Sequence, residues 1–209
     1  MQSNIVNALF GPYTTIIKDK CTANPPKIIK SSNGSSEECG FTQIVKSNTN
    51  LSILHKSQNP NYIPLYEAHK KDPNDWRFTD FDRSEGDLYL SGFRIDVKIA
   101  SQLYDETKSS KGLPSWVAGS IPLTSLVDFP KGDGRSLYLC AAYDWSRIFV
   151  VSADDALEYV NEHLKYSQIL TALKEMRAAG QKMETKKFDD KNIFITVNQL
   201  PVTAYEEIF

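Results

Sequence analysis

The sequence predicts an α/β fold, and three stretches carry that expectation. Residues 85–99, Glu-Gly-Asp-Leu-Tyr-Leu-Ser-Gly-Phe-Arg-Ile-Asp-Val-Lys-Ile, place two runs of apolar and β-branched residues around a Ser-Gly pair, the pattern of a tight β-hairpin. Residues 136–143 and 147–151 read as two more strands, separated by a turn at Asp144-Trp145-Ser146. From Ser152 onward the apolar spacing becomes helical through Leu157, Val160 and Leu164, with Ser152 as the N-cap. A chain of 209 residues with 41% hydrophobic content can bury a proper core, and it reads as one domain over residues 1–209.

The remaining elements follow in chain order. Residues 3–21 have helical spacing, with Ile5, Val6, Leu9 and Phe10 on one stripe. Gly11-Pro12 interrupts them, and proline suits the first turn of a new helix, so two short helices are expected, closed by Pro25-Pro26. Ser31 to Gly40 reads as a polar loop, and Phe41 to Val45 suits helix or strand equally. Residues 61–71 predict a short helix carrying Tyr62, Leu65, Tyr66 and Glu67, stopped by Asp72-Pro73-Asn74-Asp75. Asp80, Asp82 and Glu85 crowd the approach to the hairpin as a charged loop with Arg83 as counter-charge, the alternative being that one of them supplies a water-mediated ligand to a bound cation. Residues 112–135, with three prolines and several glycines, suit an insertion that packs on the core or reaches a substrate, with Trp116 as a packing anchor. The helical pattern from Ala153 runs, with room for a break, to Ala179, where Gly180 is a good stop. A last strand over 192–197 and a short apolar segment from Ala204 to Phe209 end the chain, and there is no internal repeat.

Within the hairpin, alternation decides which side chains travel together. Phe93, Ile95, Val97 and Ile99 point one way, and Arg94, Asp96 and Lys98 the other. Asp96 and Lys98 therefore share a face with Cβ atoms roughly 7 Å apart. Asp87 begins the partner strand, where a hairpin of this length sets it beside Asp96 at the open end. Two carboxylates that close repel unless a cation or a proton sits between them, and a hard divalent ion such as Mg²⁺ is the natural occupant.

Asp87, eight residues, then Asp96-Val97-Lys98 on a hairpin resembles the signature of the PD-(D/E)xK nuclease superfamily, which includes many type II restriction endonucleases, Holliday-junction resolvases and repair nucleases. The downstream order of two strands and a helix is similar to that family's core, so the likeness covers roughly half the chain. It implies a central mixed β-sheet flanked by helices, a restriction-endonuclease-like core, and Mg²⁺-dependent hydrolysis of DNA phosphodiester bonds, with Mn²⁺ expected to substitute. Carried over by position, Asp87, Asp96 and the backbone carbonyl of Val97 hold the ion, and Lys98 positions or deprotonates the attacking water. Many members add an acid from an N-terminal helix; Glu67 is one candidate, Glu37 and Glu38 are others. Gly86 stands where the family often has proline. Arg94 shares the face of Asp96 and is placed to touch phosphate or to pair with Asp96. Lys108 and Lys111 follow the strand closely enough to meet phosphates near the cleavage point.

Among functions of that family the size fits a type II restriction endonuclease, acting as a homodimer on double-stranded DNA because a two-fold site calls for a two-fold protein. The alternatives are a structure-specific or repair nuclease of the same fold, Holliday-junction resolvase-like, and a non-enzymatic α/β binding or assembly protein whose hairpin merely displays acids.

Composition narrows the field further. A net charge of -2 and a pI of about 5.9 count against a non-specific nucleic-acid binder, though an acidic site and a basic groove can coexist on one surface. Lys182, Lys186, Lys187 and Lys191 form a second basic stretch, read as a solvated face. Cys21, Cys39 and Cys140 show no Cys-x-x-Cys spacing and His55, His69 and His163 are scattered, so neither disulfide framework nor zinc site is indicated. No P-loop, dinucleotide fingerprint, nucleophile elbow or HExxH motif is present, which leaves nucleotide hydrolysis, hydride transfer and protease chemistry without support. No apolar run reaches the length of a membrane span and the N-terminus lacks a signal-peptide pattern, so a cytoplasmic protein is expected.

Overall fold

The computed structural model describes residues 5–26, 36–75, 77–99, 120–142, 145, 147–189 and 193–207. Lys108, Lys111, Lys191 and Trp116 lie outside them. The N-terminal part holds α1 (Ile5–Leu9), α2 (Thr14–Ala23), α3 (Ser36–Asn48), β1 (Ile53–His55), α4 (Tyr62–Lys71) and α5 (Arg77–Glu85). Next come β2 (Leu88–Leu90), β3 (Phe93–Ile99), β4 (Ser120–Pro122), α6 (Ser125–Asp128), β5 (Ser136–Ala141) and β6 (Ile148–Ser152). The chain continues through α7 (Ala153–Glu162), α8 (Leu164–Ala178), β7 (Phe194–Thr196) and β8 (Tyr205–Glu207).

Six strands form a mixed sheet in the order β1-β2-β3-β5-β6-β8, in which only the β3–β5 pair is parallel; β4 and β7 pair separately. Alternation along the central strands divides their side chains between two cores. Ile95, Val97, Leu137, Leu139 and Val150 pack with Leu9, Ile17, Phe41 and Val45 of the N-terminal helices. Tyr138, Cys140, Phe149 and Val151 pack with Leu126, Val160, Leu170 and Leu173 on the opposite side. The expected α/β fold, a mixed sheet flanked by helices, is thus present, with the sheet covered on both faces as parallel pairing favours.

The hairpin turn forms as expected. Ser91 and Gly92 take φ of 51° and 82°, the positive values that a tight turn matched to strand twist demands, and Leu90 pairs with Phe93 across it. The N-terminal helices break at Gly11-Pro12, and the C-terminal helix breaks at His163 and stops at Gly180, whose φ is +67°. Ser152 caps α7, its Oγ accepting from the Asp155 N–H at 3.2 Å.

Three segments depart from the expectation. Ser36 to Gly40 is helix, not loop: Glu38, Phe41, Thr42 and Val45 are buried at i, i+3, i+4 and i+7, which also makes Phe41–Val45 helical. Gly40 serves close packing there, since a Cβ would lie 2.8 Å from the Cβ of Pro26. The charged approach to the hairpin is the helix α5, whose acids pair with distant cations, Lys56 and Arg177, in place of Arg83. The strand near residue 195 joins β4 in place of the main sheet, and the main sheet is completed by β8.

Gly86, between α5 and β2, has φ +69°, and a Cβ there would stand 3.1 Å from both the Ile95 carbonyl oxygen and the Phe129 ring. Gly86→Ala is therefore expected to lower the free energy of unfolding by about 1–3 kcal/mol, seen as a reduced urea midpoint; an unchanged midpoint would show that the turn tolerates a side chain.

Candidate active site

One row across the sheet builds the site. The ladder pairs His55 with Leu88 and Leu88 with Ile95, so one step further on Lys56, Asp87 and Asp96 stand side by side. The Lys56 N–H donates to the Asp87 carbonyl and the Asp87 N–H to that of Ile95, both at 2.8 Å, which fixes the alignment. The parallel pairing of β3 with β5 extends the row to Tyr138. Because Leu88 and Ile95 fill the core under the N-terminal helices, Asp87 and Asp96 face the other way, toward α6.

All three charged residues are buried, with exposures of 8% for Lys56, 7% for Asp87 and 8% for Asp96, and every one has a partner. The Lys56 Nζ lies 2.7 Å from Asp87 Oδ1 and 2.7 Å from Asp82 Oδ1 of α5. The Val97 N–H donates to Asp87 Oδ2 at 2.8 Å. Lys98 Nζ is 2.6 Å from Asp96 Oδ1, while Ser125, at the start of α6, donates to Asp96 Oδ2 at 3.2 Å and shares a 2.9 Å hydrogen bond with the Tyr138 hydroxyl. Glu38 of α3 reaches the same cleft, 3.3 Å from His55 Nε2. The cleft, of about 290 Å³, lies between α5 and α6, with Val97, Pro122 and Thr124 completing its walls.

The environment drives the two acids apart. Burial pushes the Asp87 carboxyl up, but Lys56 and Lys98 outweigh it and hold the group below its ordinary value. Burial also raises Asp96; Lys98 works against the rise, Asp87 adds to it, and the result is about 7. The negative charge of Asp87 on the neighbouring strand thus favours a protonated Asp96. Burial acts to lower both lysines, yet the acids facing them raise both, so each stays charged at neutral pH. Burial, with Asp96 close by, lifts the Tyr138 hydroxyl far above its usual range.

The structure brings Asp87, Asp96, Val97 and Lys98 into one cleft, as the hairpin pattern anticipates. Glu67 is not with them: it lies on the exposed face of α4, 3.1 Å from Lys70, because the stripe of α4 that turns inward carries Tyr62. The upstream acids that do reach the cleft are Glu38 of α3 and Asp82 of α5. Arg94 is held by Asp133 at 2.7 and 2.9 Å and by Ser136 at 3.0 Å, so its guanidinium serves the β3–β5 edge and pairs with neither Asp96 nor the cleft. Lys108 and Lys111 lie outside the described residues. Lys56 and Ser125 carry no motif and join the site only through the register and packing, whereas Asp82, one of the acids crowding the approach to the hairpin, enters it as a partner of Lys56. Gly86 explains the missing proline, because φ +69° is closed to a ring that fixes φ near -65°.

A divalent ion fits the donor chemistry in part. Two carboxylates and a main-chain carbonyl are oxygen donors of the kind Mg²⁺ takes while keeping several waters. Among the described residues no group of three or more His, Cys, Asp or Glu side chains is arranged as a ready-made cage. Compared with known proteins, the chain matches no family model, no curated protein and no solved structure.

Two outcomes follow from the buried charges. Lys56→Ala leaves Asp82 and Asp87 without their common cation and is expected to cost about 3–5 kcal/mol of stability, as removing one partner of a buried ion pair does; guanidinium unfolding measures it, and a loss below about 1 kcal/mol would mean that water replaces the ammonium. For Asp96 the folded-state value stands above the ordinary 3.8, so its contribution to stability is complete below about 3.8 and is lost as pH rises through about 7. In chelator, the melting temperature of the unsubstituted protein should fall relative to that of Asp96→Asn across this window, and parallel curves would place Asp96 at its ordinary value.

Proposed function

We propose that this protein is a metal-dependent endonuclease that hydrolyses phosphodiester bonds of double-stranded DNA. The observation that carries the reading is the pairing of Asp87 and Asp96 on adjacent strands, in a cleft where Lys98 is 2.6 Å from Asp96. Hydrolysis of a phosphodiester requires an aligned water and positive charge where negative charge grows on the phosphate. A Mg²⁺ or Mn²⁺ ion held by Asp87, Asp96 and the Val97 carbonyl would supply that charge and polarise the phosphate oxygens. The chain's own residues do the rest. Lys98, kept protonated by the acids beside it, presents an ammonium to the water and the phosphate, so its part is electrostatic and orienting. Ser125 and Tyr138 fix the carboxyl of Asp96 from the side away from Lys98. Lys56 holds Asp87 from below, leaving its remaining lone pairs toward the cleft.

Within this class the reading is a type II restriction endonuclease that works as a homodimer. What supports the nuclease core is the mixed sheet, in which an antiparallel hairpin bearing the acids is followed by a parallel partner strand. Among the described residues no helix is long and apolar enough to cross a membrane.

The test is incubation with plasmid and phage DNA in Mg²⁺, alongside Asp96→Ala and Lys98→Ala. Discrete fragments are expected from the unsubstituted protein, with cleavage at least about 100-fold slower in each variant. Absence of cleavage on every DNA tried, together with no divalent-ion binding by calorimetry, would sink the proposal.

A further inference from the structure

The helix α5 is a wall between two cavities of opposite character. On one side is the cleft already described, where the four acids Glu38, Asp82, Asp87 and Asp96 face three cations, Lys56, Lys98 and Arg83. On the other, between α4, α5 and the end of α8, lies a cavity of about 250 Å³ lined by Arg83, Arg177 and Lys182, with Asp80 and His69. Arg83 borders both.

The cations of the second cavity are not alike. Arg177 is tied down, its Nη1 2.6 Å from Asp80 and its Nε 3.1 Å from Asp128, so its charge is spent within the fold. His69 is also engaged, with Nδ1 2.9 Å from the Asp75 carbonyl oxygen and its ring stacked on Phe78. The side chains of Arg83 and Lys182 have no hydrogen bond or ion pair to any described residue. Two uncompensated cations therefore converge on a concave site, beside a second concave site that is acidic, in a chain whose net charge is -2.

A cleft whose acids nearly balance its cations offers a polyanion little net attraction, so a nuclease built around it needs positive charge close by to hold the strand. We propose that the cavity between α5 and α8 binds a backbone phosphate of duplex DNA neighbouring the phosphate under attack, with Arg83 spanning the two positions and Lys182 closing the outer one. This rests on the nuclease reading above and adds a strand path to it. The forked guanidinium of Arg83 matches two phosphate oxygens at once, and Lys182 adds a mobile point charge at the rim. The fixed Arg177–Asp80 pair forms the floor, leaving the two free cations to meet the ligand.

Binding is measured by fluorescence anisotropy of a short labelled DNA duplex in chelator, where hydrolysis does not occur. The proteins compared are the unsubstituted chain, Arg83→Gln, Lys182→Gln, the double variant and Lys186→Gln, a nearby exposed lysine that does not line the cavity. The double variant should bind about 10-fold or more weakly, and its slope of log affinity against log salt should be shallower by about 2, close to one unit for each lost phosphate contact. Lys186→Gln should match the unsubstituted protein. Equal affinity and equal slope in the double variant, with DNA bound and cleaved normally by the unsubstituted chain, would overturn the strand path and leave the nuclease reading standing. If the unsubstituted chain neither binds nor cleaves DNA, both fall together.

Discussion

The register of β1, β2 and β3 is the constraint on which the rest of this structure depends. Side chains along a strand alternate, so a slip of one residue would turn Asp87 and Asp96 into the core beneath the N-terminal helices and bring Leu88 and Ile95 into the cleft. Both ends of the hairpin oppose such a slip. Ser91 and Gly92 hold the tight turn in positive φ, and Gly86 lets the chain approach the Ile95 carbonyl as α5 gives way to β2. The apolar residues next to the acids are fully buried, so the same alternation that positions the charges is anchored by core packing. Chemistry and fold here are two faces of one ladder.

A row of buried charge is an expensive way to stabilise a fold, because the desolvation of each ion offsets most of its attraction. The arrangement nevertheless leaves no ion alone: Lys56 and Lys98 stand on either flank of the acid pair, and Asp82 and Ser125 complete their hydrogen bonds. Its effect is to separate the behaviour of two identical groups. Asp87, facing two ammonium groups, is held ionised, whereas Asp96 is lifted toward neutrality by burial and by Asp87 itself. Unlike environments for paired carboxyls are the arrangement that the nuclease proposal calls for.

What the sequence makes legible follows the range of the forces involved. The hairpin, the capped helix at Ser152, the break at Gly11-Pro12 and the stop at Gly180 are local, each set by a few dihedral angles or one cap, and each is readable from neighbouring residues. Asp87, Asp96 and Lys98 are readable for the same reason, since one hairpin delivers all three. Lys56 is not, because it follows a strand of three residues and becomes part of the site only through pairing with a segment 31 residues away. Glu38 is legible only as one of several upstream acids, because its setting of serines and glutamates hides the helix that its spacing to Phe41, Thr42 and Val45 forms. Glu67 illustrates the converse: a helix upstream of the hairpin is visible, but which of its faces turns inward is decided by Tyr62 and the aromatic cluster around Phe78.

Net charge is similarly a poor guide to what a surface offers. The overall value of -2 averages an acidic cleft with a basic cavity that share the wall formed by α5. At 3.6 residues per turn, Thr79, Asp80 and Arg83 lie on one side of that helix, and Asp82 is turned well away from Asp80. A single short helix therefore presents a different charge to each side, and a residue at the boundary, Arg83, belongs to both. Under the nuclease proposal, segregation of this kind would let one protein attract a divalent cation and a polyanion at adjacent positions.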